Sequence, residues 1–418
     1  MLRFRRSSLP VLLLAATAAG GCATTSVARE VSGGRPAAGQ VSLPRPTGPF
    51  KVGTTSLHLV DQSRRDPWTP SRARELMVSV WYPASAPGKE DVPHMTAKAA
   101  AHFGSEQGAA TLNLGMPPGR ADWGAVRTHA TADAPVARKA GRLPVVLYSS
   151  GLADPRTWNT TLVEDLASRG YAVITVDHTG EASEVEFPGG RLVTGRLAEG
   201  TPPTSPAEVT ALLKKAMAAR VADARFVLDR LPGIGRGRFG GALDAGRVGM
   251  VGQSAGGFTA AQTMHDDRRV RAGVNMDGQM DYTGGKPDGS ELSTVARDGL
   301  DRPLLLMGTE SEGSGDHTEQ PSWDAFWRNT RGWKGDVTLA GSRHATYTDA
   351  EALLPPLAEQ GIAPKGGLTG AVGTVRPARA IAAERAYVTS FFDRWLRGRD
   401  DHLLDGPSSR FPEMRFTA

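Results

Sequence analysis

The chain has 418 residues and a mass of 44.2 kDa, enough to bury one large core or two. Hydrophobic residues make up 39% and charged residues 22%, a balance that excludes wholesale disorder. The formal net charge is +5, but Arg3, Arg5 and Arg6 sit at the very start, and the nearly neutral remainder has no basic block interleaved with aromatics, so a nucleic-acid partner has little support.

The first residues, "MLRFRRSSLPVLLLAATAAGGC", combine a basic start, an apolar stretch from Leu9 to Ala19 and small residues before a cysteine. This predicts a signal peptide over 1–21, with an apolar part too short to span a bilayer. Cys22 is the single cysteine, so no intrachain disulfide forms. "AAGGC" resembles a bacterial lipobox, with Ala19 where that pattern usually has leucine. It predicts lipidation of Cys22 and an exported protein anchored to the membrane at the cell envelope, plain secretion being the alternative. Arg5-Arg6 also hints at twin-arginine export. Residues 22–48 are small, polar and rich in Pro and Gly, which predicts a tether ahead of a single domain over 49–418.

Within that domain, strand-like and helix-like segments alternate. "ELMVSVWYPA" (75–84) alternates apolar and polar residues up to a proline, and "LPVVLYSSG" (143–151) is a continuous apolar run of the kind covered on both faces. "WNTTLVEDLASRG" then has helical spacing ended by Gly170, and "YAVITVDH" (171–178) is β-branched. A hairpin-like "FPGGRLVTG" precedes a long amphipathic helix over 206–231. "RVGMVGQ", "VRAGVNMD", "RPLLLMGTE" and "GDVTLAG" read as further strands. The helices between and after them are "AGGFTAAQTMH", "WDAFWRNT" and the closing "ARAIAAERAYVTSFFDRWLRG". The alternation predicts an α/β fold, a mostly parallel central sheet with helices on both faces. Residues 85–141 interrupt it with irregular sequence; an insertion there is a candidate pocket wall or lid.

"VGMVGQSAGG" (248–257) holds the chain's one Gly-x-Ser-x-Gly, after a strand and before a helix. That setting lets a sharp turn push the Ser254 hydroxyl out at the top of a sheet, whereas neither phosphate-loop pattern occurs at this turn. A serine nucleophile needs a histidine base held by a carboxylate. Of nine histidines, His344 fits best, on a turn after the strand "GDVTLAG" and after the serine in chain order. His317 is a candidate for the mouth of the site, His178 for pocket structure, and His265 for a helix end or the surface. His402 falls in the terminal segment. The acid is either Asp277, which ends the strand after the nucleophile helix, or one of Glu310, Glu312 and Asp316 after the next strand. Chain order leaves both positions open.

"PVVLYSSGLADPRTWNTTLVEDLASRGYAVITVDH", "GQSAGG", "GVNMDGQM" and "GSRHATYTD" together resemble the plasma-type platelet-activating-factor acetylhydrolases and related bacterial esterases and lipases of the α/β-hydrolase superfamily. The likeness runs through most of the chain after the N-terminal segment. It implies hydrolysis of short or oxidised acyl chains from phospholipid-like esters, without a cofactor; no metal is expected either, because the sequence has no His-Glu-x-x-His and a lone cysteine cannot build a thiolate site. The acid of that family ends a Gly-φ-x-φ-Asp segment, φ being apolar. "GVNMD" matches, so the resemblance implies Asp277. The family's oxyanion segment, Ser-His-Gly-Leu-Gly, corresponds to Ser149-Ser150-Gly151-Leu152-Ala153. It implies that the backbone N–H groups of Leu152 and Ala255 bind the oxyanion. Serine at 150 in place of histidine bears on how that loop is supported.

The expected activity is therefore ester hydrolysis through a Ser254–Asp277–His344 triad. The alternatives are a lipid-anchored binding protein that keeps the fold without turnover, or a dienelactone hydrolase or peptidase-like member of the same fold.

Overall fold

The computed structural model describes residues 41–88, 90–197, 203–284 and 288–418. The expected signal peptide, Cys22 and the tether as far as residue 40 lie outside the described residues. Residues 41–48, read as the end of the tether, belong to the domain. Val41 and Leu43 are buried, and Thr47 and Gly48 donate their N–H groups to Asp165 and Ser168.

In chain order the strands are β1 (Lys51–Arg65), β2 (Ala73–Ala84), β3 (Asp91–Pro93), β4 (Arg127–Ala132), β5 (Leu143–Ser149) and β6 (Ala172–Asp177). There follow β7 (Glu184–Phe187), β8 (Arg191–Thr194), β9 (Leu243–Gln253), β10 (Val270–Met276), β11 (Leu304–Thr309), β12 (Lys334–Leu339) and β13 (Met414–Phe416). The helices are α1 (Ala97–Phe103), α2 (Ala109–Leu112), α3 (Thr160–Ser168), α4 (Pro206–Arg236) and α5 (Ala255–Asp266). After them come α6 (Thr294–Asp298), α7 (Pro321–Asn329), α8 (Ala350–Glu359), α9 (Lys365–Val372) and α10 (Pro377–Arg397).

The main sheet runs β13-β12-β11-β10-β9-β5-β6-β2-β1-β4-β3. Its centre, from β12 to β6, is parallel throughout; β2 and β13 add antiparallel neighbours on either side. Both faces are covered, which is why the central strands are apolar without a break. Val145 and Leu147 of β5 face a core with Leu228 of α4 and Phe258 of α5, while Val146 and Tyr148 face α3 and α10 through Leu166 and Phe391. Each such side chain contributes about 1.5–3 kcal/mol on burial. The segment "FPGGRLVTG" forms the turn and second strand of a separate hairpin, β7–β8.

Three further features depart from the sequence reading. Helix α4 runs on to Arg236 through Pro232, which lies on the exposed side where water can satisfy the carbonyl that proline leaves without a donor. The insertion is less irregular than expected, since β3 and β4 extend the sheet. The rest of it, α1 and α2, shares a third core with α8 and α9 around Phe103, Trp123 and Trp158. Helix α8 was hidden by Pro355 and Pro356, which it carries near its middle.

Candidate active site

Strand β9 ends at Gln253 and α5 begins at Ala255, so Ser254 alone makes the turn between them, at φ 55° and ψ −126°. A side chain that is not glycine avoids this region, and here it is held by the Ser254 N–H donating to the Met276 carbonyl at 2.8 Å. The flanking glycines allow the crossing. A Cβ on Gly256 would stand 1.9 Å from the Ser149 carbonyl oxygen, and one on Gly252 would stand 2.3 Å from the Gly256 backbone. Asp277 (φ 56°) and Ala153 (φ 66°) are also left-handed, so three of the five such non-glycine residues among the described residues gather here.

His344 Nε2 lies 2.9 Å from Ser254 Oγ, and its Nδ1 lies 2.6 Å from Asp277 Oδ2. A carboxylate only accepts, so Nδ1 carries the proton and Nε2 faces the serine hydroxyl as an acceptor. The second donor to Asp277 Oδ2 is the Thr309 hydroxyl at 2.9 Å. Close packing around the imidazole opposes its protonation, but the Asp277 carboxylate outweighs that and raises its pKa above the usual histidine value. The ring nevertheless stays half exposed to solvent. The turn that carries it is pinned at several points. Arg343 N–H donates to Thr346 Oγ1 at 2.9 Å, Tyr347 O–H to the Gly308 carbonyl at 3.1 Å, and Gln253 Nε2 to the His344 carbonyl at 2.8 Å.

The loop after β5 lies beside the Ser254 turn, because β5 and β9 are neighbours in the sheet. Ser150, standing where the resembling family has histidine, donates its hydroxyl to the Asp154 carbonyl at 2.9 Å and so ties the loop to itself. Among the described residues, the N–H groups of Leu152 and Ala255 have no hydrogen-bond partner. Asp154 adds a carboxyl near the histidine. Burial pushes it up to about 7, while Arg220, His344 and the Asn113 side chain at the end of α2 pull it down. Through Asn113 the insertion reaches the edge of the site.

Glu310 does not approach the imidazole. One of its oxygens accepts from Gly341 N–H at 2.9 Å and the other pairs with Arg415 at 2.7 Å. Asp316 accepts from Thr417 Oγ1 at 2.7 Å. His317 is not at the mouth: it is buried, stacked 3.9 Å from Trp327, with Nδ1 2.7 Å from Asp336. His265 is a surface residue between Asp266 and Asp298. His178 is buried, with its ring nitrogens on Ser149 Oγ and Asp223. Arg220 and Glu181, which the sequence reading passed over, lie behind the 150–153 loop as a buried ion pair. Among the described residues, Asp400, His402 and Asp405 come close enough together to offer three metal ligands, but they are exposed in the segment after α10.

Known proteins resemble this chain over most of its length. Residues 36–187 match the family model "Platelet-activating factor acetylhydrolase, isoform II", a stretch that includes the 150–153 loop and stops before Ser254. A probable 1-alkyl-2-acetylglycerophosphocholine esterase of Arthroderma benhamiae is 29% identical over 394 residues, covering 90% of this chain and 93% of that protein. The platelet-activating factor acetylhydrolase of Cavia porcellus is 22% identical, over 88% of this chain and 84% of its own. The solved structure of a ferulic acid esterase from Streptomyces cinnamoneus superposes with a TM-score of 0.70 at 38% identity, covering 90% of this chain and 99% of that one. The chain belongs to the α/β-hydrolase superfamily. Within it the relatives are acetylhydrolases and esterases, and this hydrolase acts on carboxylic esters.

Proposed function

We propose that this hydrolase works through an acyl-enzyme, with Ser254 as nucleophile, His344 as general base and then acid, and Asp277 as the group that orients the imidazole. The observation that carries the reading is the unbroken chain from Asp277 Oδ2 through His344 to Ser254 Oγ, at 2.6 and 2.9 Å, on a strained serine. In acylation the Ser254 oxygen bonds to the ester carbonyl carbon as its proton passes to His344 Nε2. The tetrahedral intermediate then collapses, the ester C–O bond breaks, and His344 returns the proton to the leaving alcohol. Water repeats the sequence on the acyl-serine and releases the acid. The N–H groups of Leu152 and Ala255 bind the negative oxygen, each worth about 3–4 kcal/mol in the transition state.

The proposed substrates are esters with short acyl groups, phospholipid-like in the manner of the acetylglycerophosphocholine esterase relative. The proposed location is the outer face of a bacterial membrane, through a lipid on Cys22. A second reading, esters of hydroxycinnamic acids, is favoured by the 38% identity to the ferulic acid esterase over nearly all of that chain. A rate series on p-nitrophenyl esters of increasing acyl length, with methyl ferulate and a peptide substrate alongside, tests the choice. Short acyl esters are expected to be fastest. A maximum at long chains contradicts the short-acyl reading, and methyl ferulate outpacing the acetate favours the second.

A further inference from the structure

We infer that Arg220, clamped by Glu181, is a positioning residue that aims the oxyanion-binding N–H of Leu152. The inference rests on the reading of Leu152 as an oxyanion donor.

Arg220 lies on α4 and is 1% exposed. Its Nη1 donates to the Ser150 carbonyl at 2.7 Å, and its Nη2 to the Gly151 carbonyl at 2.8 Å. In a planar trans peptide the C=O and the following N–H point in opposite directions. A Gly151 carbonyl fixed on Arg220 therefore turns the Leu152 N–H away from the guanidinium. Glu181 holds the other side of the same residue: it takes Arg220 Nη2 at 2.7 Å and accepts the Ala153 N–H at 2.8 Å, both on Oε1. The Asp154 N–H goes back to the Gly151 carbonyl at 3.2 Å. Of three successive N–H groups, the last two are occupied and the Leu152 N–H is left to a ligand. Ala153 keeps its left-handed backbone within this clamp.

The pair is itself backed by a second one. Arg220 Nη1 also reaches Ser149 Oγ at 3.2 Å, which lies 2.9 Å from His178 Nε2. His178 Nδ1 lies 3.1 Å from Asp223, a carboxylate held by Arg74. The guanidinium thus serves two carbonyls, a hydroxyl and a carboxylate at once, a task for which a lysine ammonium lacks both the donors and the planar fork.

The test compares Arg220→Lys, Arg220→Met and Glu181→Gln with the wild type on p-nitrophenyl acetate, with thermal melts of each. It adds the inhibition constant of an alkyl trifluoromethyl ketone, whose serine adduct places an oxyanion in the hole. Losing one such donor outright costs about 100- to 1000-fold in kcat. A misaimed donor is expected to cost about 10- to 100-fold in the Arg220 variants, with KM within about threefold. The ketone inhibition constant should rise by the factor that kcat/KM falls. Glu181→Gln keeps the side-chain shape and an acceptor for Ala153. It should fold as the wild type does and show a smaller loss on the same line, and it carries the test should an Arg220 variant fail to melt cooperatively. Unchanged kcat, a loss confined to KM, or unchanged ketone inhibition overturns the inference. Ser254→Ala is run in parallel. If that variant stays active, the reading of the site fails; if it is dead while the clamp variants keep their kcat and ketone affinity, only the clamp fails.

Discussion

Replacing Asp277 by asparagine keeps the shape of the acid and removes its charge. Asp277 Oδ2 is 2.6 Å from His344 Nδ1, and the Thr309 hydroxyl donates to the same oxygen at 2.9 Å. With a donor-bearing amide in that place, the imidazole is stabilised with Nδ1 as acceptor, which puts the proton on Nε2, facing Ser254. The serine then has no base. Loss of the correct tautomer costs about 10⁴ in kcat in a Ser-His-Asp enzyme, or roughly 5 kcal/mol of barrier. Glu310→Ala should cost less than about threefold, because Glu310 bonds Gly341 N–H and Arg415 rather than the imidazole. Initial rates on p-nitrophenyl acetate for both variants, with melts to verify folding, give the comparison. A collapse in Glu310→Ala, or a loss under tenfold in Asp277→Asn, refutes the assignment of the acid.

Three further outcomes follow from the geometry. His344 must be neutral to act as base and its pKa is raised, so kcat/KM should fall with acid along a limb centred above the ordinary value of about 6.5. A pH–rate profile with its midpoint below that value contradicts the account. Ala153→Gly relieves a left-handed backbone costing about 1–2 kcal/mol while adding freedom to the unfolded chain, so urea titration should show a gain of up to about 1 kcal/mol with activity within about twofold. Glu351 is buried, and its carboxyl is pushed up to about 8, first by burial and then by Glu384. A folded-state pKa above the unfolded value near 4.3 means that stability is lost as pH rises from there through about 8. Glu351→Gln should therefore match the wild type at pH ~5 and melt a few degrees higher at pH ~9. An equal gap at both pH values argues against this titration.

Much of the fold was legible because the central strands are buried on both faces. Runs such as "LPVVLYSSG" and "YAVITVDH" are apolar without alternation only when helices cover both sides of a parallel sheet. The turn at Ser254 was legible because its glycines answer to close backbone approaches, at Ser149 above all. The choice between Asp277 and Glu310 was not, since both follow neighbouring parallel strands and end at the same edge of the sheet. The family resemblance selected Asp277, and the packing of Glu310 against Gly341 and Arg415 is invisible in chain order. Strands β3 and β4 were missed because their partners are each other and β1, pairings set by distant segments rather than by local pattern. Arg220 carried a signal that went unread: it lies on the face of α4 shared by Met217, Ala216 and Ala224, where a charged side chain has to find buried partners.

The measurement closest to the central claim is the intact mass of the protein quenched early in turnover of p-nitrophenyl acetate, for wild type and Ser254→Ala. If Ser254 carries the acyl group, the wild type gains one acetyl group, mapping to the peptide that contains Ser254, and the variant shows neither adduct nor turnover. Full turnover by Ser254→Ala, or an acetyl group mapped to another residue on the reaction path, contradicts that claim.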